Sequence, residues 1–189
     1  MTIQIDDAGC GCLIGGVAIG AYRVETEEFV WGKIPVKYFQ GEAFQKQEYL
    51  NVGAEVGHEL VKQLCIQQDE QVQIGMGYTL QGLRNVLESE GRFLIIGKIT
   101  GPLRKKLTDI LLHNLHLIGV DSNLEALTKQ HGLLFWQCVK WLKGDNLQLD
   151  RMLPEREVYA KTGWDTYPIW ANNPYHTAKE LAAQYRDSR

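Results

Sequence analysis

The chain has no long apolar run, no excess of one charge and no cysteine framework, and each absence narrows its class. Its 20 Lys and Arg stand against 23 Asp and Glu, a net charge of −3 with His neutral. No global attraction to polyanions follows, which argues against a nucleic-acid-coating protein and leaves only a local basic stripe open. The four cysteines, at positions 10, 12, 65 and 138, lack disulfide-framework spacing, and a cytoplasmic protein with reduced thiols is the simplest reading. The longest weakly polar stretch, 10–22, is too short and too rich in glycine to span a bilayer, so no membrane partner is expected. The N-terminal stretch has no basic lead and carries Asp6 and Asp7, unlike a signal peptide.

What is present is an ordinary globule, 44% hydrophobic and 23% charged over 189 residues. That length buries a real core as one domain, 1–189, with a sheet core over about 1–100 and a mainly helical extension over 101–189. Short apolar runs at 2–7, 17–24 and 29–36, bounded by glycine or charged turns, predict three strands in an antiparallel meander. Val52, Val56, Leu60 and Leu64, four apart, predict a helix within 42–65. A strand at 72–76, a helix at 80–89 and the most strand-like run, 93–99, follow. The fold class is α/β, with three antiparallel strands and then alternating helices and parallel strands in a mixed five-stranded sheet. Beyond Gly101 the pattern is helical. Ser122 and Glu125 form a capping box before a second long helix, 163–173 reads as an aromatic loop, and a last helix runs from Pro174 through Tyr185.

The first strand ends in Asp6-Asp7-Ala8-Gly9-Cys10-Gly11. Carboxylates delivered into a glycine turn suit a hard divalent cation held near phosphate, because such cations take oxygen ligands and glycine lets backbone donors approach. Alternation places Asp6 and Asp7 on opposite faces of the strand end, so one can be a metal ligand while the other closes an Asx turn.

This signature resembles the D-E-x-G-x-G motif of the type 2 ribonucleases H. Tyr167-Pro168, Asn172 and Tyr175-His176-Thr177 resemble that family's C-terminal segment, and the element order resembles the ribonuclease H-like superfamily. The resemblance implies a ribonuclease H-like fold and a Mg²⁺- or Mn²⁺-dependent nuclease acting on RNA or RNA–DNA hybrid. It makes Asp6 and Asp7 metal ligands and catalytic, places Gly9, Cys10 and Gly11 against the substrate backbone, and stacks Tyr175 on a sugar. Three departures stand out. The second acid is Asp rather than Glu, Cys10 replaces an arginine, and the fourth strand, Gln73-Ile74-Gly75-Met76-Gly77, carries no acid. Two alternatives follow: a degenerate relative that binds nucleic acid or a protein partner, and an actin-like nucleotide-binding module.

Glu55 and Glu59 are the foremost candidates for further catalytic carboxylates, ahead of Asp121, Asp145, Asp150 and Asp165. Arg104, Lys105 and Lys106 open a helix as the one compact basic cluster and can clamp phosphate, or they form a solvated face. Asp109, His113 and His116 share one helix face, which reads as a wet stripe more readily than as a metal site. Trp164, Tyr167, Trp170 and Tyr175 either stack on bases or form a satellite core, and Cys65 and Cys138 fall on apolar stripes and read as core.

Overall fold

The computed structural model describes residues 1–120, 133–175 and 180. The capping box at Ser122 and Glu125 and most of the last helix lie outside the described residues.

Strands β1 (Thr2–Ala8), β2 (Val17–Arg23) and β3 (Phe29–Ile34) form the expected meander. Helices α1 (Gly41–Gln45) and α2 (Glu48–Gln63) follow, then β4 (Gln71–Ile74), α3 (Gln81–Ser89), β5 (Leu94–Ile96) and α4 (Pro102–Leu117). The five strands make one sheet in the order β3-β2-β1-β4-β5, with β1 antiparallel to β2 and parallel to β4. The α/β class and the mixed five-stranded sheet are thus as the sequence pattern predicts.

Alternation decides the two faces. Ile3 and Ile5 of β1, with Val17, Ile19 and Ala21 of β2 and Val72 and Ile74 of β4, build the main core against α2 and α3. Ala8, Ala18 and Tyr22 point the other way and pack with Leu103 and Leu107 of α4. A buried ion pair ties the far end of β2 to the α2–β4 loop: Arg23 Nε donates to Glu70 Oε1 at 2.9 Å, both residues under a tenth exposed.

Two predicted elements change. The run 93–99 contracts to three residues, because β5 is an edge strand whose one neighbour is β4 and Phe93 stays 80% exposed. The aromatic loop at 163–173 contains a helix, Tyr167–Asn172, whose Tyr167 and Trp170 are buried. These two rings pack with Leu13, Ile14, Leu115, Cys138, Trp141 and Tyr175 into a second core between the first turn and helix α5 (Leu133–Leu142). The satellite-core reading of these aromatics is the one realised. No helix among the described residues is long and apolar enough to cross a membrane.

Candidate functional site

β1, β4 and β5 run parallel, so their carboxyl ends meet at one edge of the sheet, where ligands gather in open α/β sheets. β1 delivers Asp6 and Asp7 to that edge, each 7% exposed. Their side chains diverge, as alternation requires. Asp6 turns toward α4, where Arg104 Nη1 donates to its Oδ2 at 3.3 Å and to the Asp7 carbonyl oxygen at 3.0 Å. Asp7 turns toward α3, accepting from the Cys10 thiol at 2.7 Å and from the Thr79 hydroxyl.

The acid-free end of β4 has a steric cause. A Cβ at Gly75 would lie 2.2 Å from Asp6 Oδ1, and one at Gly77 would lie 2.4 Å from Asp7 Oδ2. Both aspartates therefore occupy space that side chains on the next strand would fill. Arg84 of α3 is buried and donates to the Gly75 carbonyl oxygen at 2.6 Å, which fixes this loop.

Burial pushes the Asp6 carboxyl above its ordinary range. The charge of Asp7 adds to that rise, while a hydrogen bond from the Asp7 backbone and the nearby Arg104 offset part of it. Burial also raises the Cys10 thiol, reinforced by the charge of Asp7 and the hydrogen bond it accepts, so Cys10 serves as a donor and not as a thiolate.

The turn itself is held from below by Lys161, which is wholly buried and donates to the Gly9 carbonyl oxygen. Its ammonium lies 5.0 Å from the ring centre of Phe39 and 5.4 Å from that of Trp164. Burial lowers Lys161, and the neighbouring cysteines and Asp7 counter this. Gly9 adopts φ +105°, and a Cβ there would meet the Gly16 carbonyl oxygen at 2.9 Å, so glycine is required on both counts.

Several expected site residues lie elsewhere. Glu55 and Glu59 are exposed, because α2 buries Tyr49, Gly53, Gly57, Leu60 and Val61 and turns both acids to the opposite face. Tyr175 is 1% exposed, with its hydroxyl on the Ile169 carbonyl oxygen and Lys143 over its ring, so it offers no free face for a sugar. Lys105 and Lys106 are exposed, as are Asp109, His113, His116, Asp145, Asp150 and Asp165. Gly11 faces open space. Cys138 is buried as its stripe implies, but Cys65 is exposed, because it lies past the end of α2 with φ +51° and so leaves the helix's apolar stripe. Asp121 and His176 lie outside the described residues.

No group of three or more His, Cys, Asp or Glu able to hold a metal occurs among the described residues. With Asp6 paired to Arg104 and Asp7 turned away to Thr79 and Cys10, the donor set falls short of what a two-metal centre requires. Thr79, Arg84 and Lys161 belong to the site although no sequence motif marks them. Thr79, two residues past Gly77, offered the faintest signal, whereas Lys161 reaches Gly9 across 152 residues. Compared with protein-family models and with curated proteins, the chain matches none of them.

Proposed function

We propose that the chain is a degenerate ribonuclease H-like protein that holds the phosphate backbone of RNA or an RNA–DNA hybrid without cutting it. The observation that carries this reading is the contact at Gly75. With Asp6 Oδ1 2.2 Å from where a Cβ would stand, the neighbouring strand has no room for a second carboxylate beside the first. Phosphodiester hydrolysis through paired cations needs ligands from more than one strand or helix, and Arg104 instead supplies the positive charge at Asp6.

The sheet order supports the superfamily reading, since three antiparallel strands lead into parallel β4 and β5 with Asp6 at the end of the central strand. Binding is supported by the cations at the same edge. The Arg104 side chain is 54% exposed despite its contact with Asp6, its neighbour in sequence Lys105 is exposed, and so is Lys98, two residues past the end of β5. Helix α4 follows Gly101 with no side-chain cap, and since Pro102 has no N–H, the amides of Leu103 and Arg104 are the ones it offers to a phosphate oxygen.

Fluorescence anisotropy with a labelled RNA–DNA hybrid tests the reading. Saturable binding that weakens with salt is expected, and Arg104→Ala should lower the salt slope by about one phosphate contact. Binding that ignores salt and is unchanged in Arg104→Ala and Lys105→Ala would refute it.

A further inference from the structure

A cavity of about 340 Å³ lies under the β1–β2 turn, on the face covered by α4, and neither Asp6 nor Asp7 lines it. At ~30 Å³ per water of liquid, that is room for about eleven waters, near the lower end of small-molecule sites. Its walls are aliphatic, formed by Ile14, Ala18, Val36, Leu111, Leu115 and Ile118. Water gains little in such a space, whereas an apolar ligand body is drawn to it.

The one charged side chain at this cavity among the described residues is a cation, and the two neutral polar ones can donate. Lys33, exposed at the rim, brings an ammonium, Asn114 an amide, and Tyr159 also lines the wall, where no carboxylate stands among the described residues. Within the described residues, Lys33 has no ion-pair partner, and the side-chain polar groups of Asn114 and Tyr159 make no hydrogen bond. The Lys33 stem crosses Gly16, where a Cβ would meet Lys33 Cε at 2.9 Å, so the missing side chain leaves room for the lysine against the cavity's rim. The opposite wall is fixed by a bridge between Ile14 and Ala160 and by Gly15 N–H donating to the Tyr159 carbonyl oxygen at 2.9 Å.

We propose that this cavity binds a small apolar carboxylate, its hydrocarbon body between α4 and the first turn and its carboxylate on Lys33, with Asn114 and Tyr159 as further donors. The charge complementarity selects an anionic head, and the volume selects a medium-chain body. The inference stands independently of the reading of Asp6.

Isothermal titration with decanoate, set against decanol and decylammonium, tests it. One saturating site for decanoate is expected, weakened about tenfold in Lys33→Glu, as for loss of one charge-assisted contact. Ile118→Trp, which fills the half-buried rim without touching Lys33, should remove binding while the thermal melt stays intact. Lack of saturable decanoate binding would overturn the proposal. So would decanol binding as tightly as decanoate, or decanoate binding unchanged in both variants.

Discussion

Arg104 Nη1 lies 3.3 Å from Asp6 Oδ2, and the same nitrogen donates to the Asp7 carbonyl oxygen at 3.0 Å. One guanidinium thus answers a buried carboxylate and fastens α4 to the end of β1. It compensates the burial of Asp6 only in part, since that carboxyl still sits above its ordinary range. The unfolded aspartate ionises near ~3.9, while the folded one stays protonated to higher pH. Its burial therefore costs stability as pH rises through that window, and the cost is constant above the folded value. Asp6→Asn should gain about 1 kcal/mol near neutral pH, growing across the window and then level. Urea unfolding of both proteins over a pH series checks this, and a variant less stable at every pH would count against it.

Gly75 and Gly77 are held as glycine by the aspartates. Gly75→Ala sets a methyl 2.2 Å from Asp6 Oδ1 and should cost about 2 kcal/mol. In an Asp6→Ala background the same change should cost much less, because the atom it strikes is gone. A double-mutant cycle by denaturant melts measures that coupling. Additive costs would mean that the backbone, and not the carboxylate, resists the methyl.

The Arg23–Glu70 pair gives acid sensitivity of the opposite sign. Burial alone would raise Glu70, but hydrogen bonds from Arg23 and the Gln67 amide outweigh it and hold the carboxyl below its ordinary value. The pair stabilises the fold above the unfolded glutamate value of ~4.3, and that contribution fades as pH falls through the lowered folded value. Glu70→Ala leaves buried Arg23 with Glu28, a half-exposed acid, as its remaining carboxylate and should cost about 2 kcal/mol at neutral pH. The gap between variant and parent should narrow in acid, as urea midpoints at neutral and acid pH would report.

Thiol chemistry separates the cysteines. Cys65 is exposed, Cys12 and Cys138 are buried, and Cys10 is half-buried with its proton committed to Asp7. Labelling with a thiol reagent at mildly alkaline pH should show one fast site, removed by Cys65→Ser, with Cys10 slow despite its partial access. A second fast site lost in Cys10→Ser would show that the thiol is not held by Asp7.

Much of the fold was readable because it rests on local period. The meander follows from the short apolar runs 2–7 and 17–24 and the turns that bound them, and the wet stripe of Asp109, His113 and His116 is solvated as its spacing implies. The buried face of α2 was harder, since Gly53 and Gly57 mark it and glycine carries no hydropathy signal. Their absent side chains admit Thr79 and Leu83 from the neighbouring segment, a fact about packing and not about pattern. The helix at Tyr167–Asn172 was hidden by its Pro168 and its aromatics, whose burial depends on Phe135 and Trp136 of α5. At the site, the motif located Asp6 and Asp7, but Thr79 and Arg104, which bond them, and Arg84 and Lys161, which hold Gly75 and Gly9, arrive from distant parts of the chain. Only tertiary contact brings those residues together.

The most direct measurement is gel analysis of a labelled RNA–DNA hybrid incubated with the protein across a range of Mg²⁺ and Mn²⁺ concentrations. The account predicts that the hybrid is retained by the protein and recovered intact at every metal concentration. Metal-dependent fragments that disappear in Asp6→Asn would contradict it and identify Asp6 as the ligand of a working nuclease.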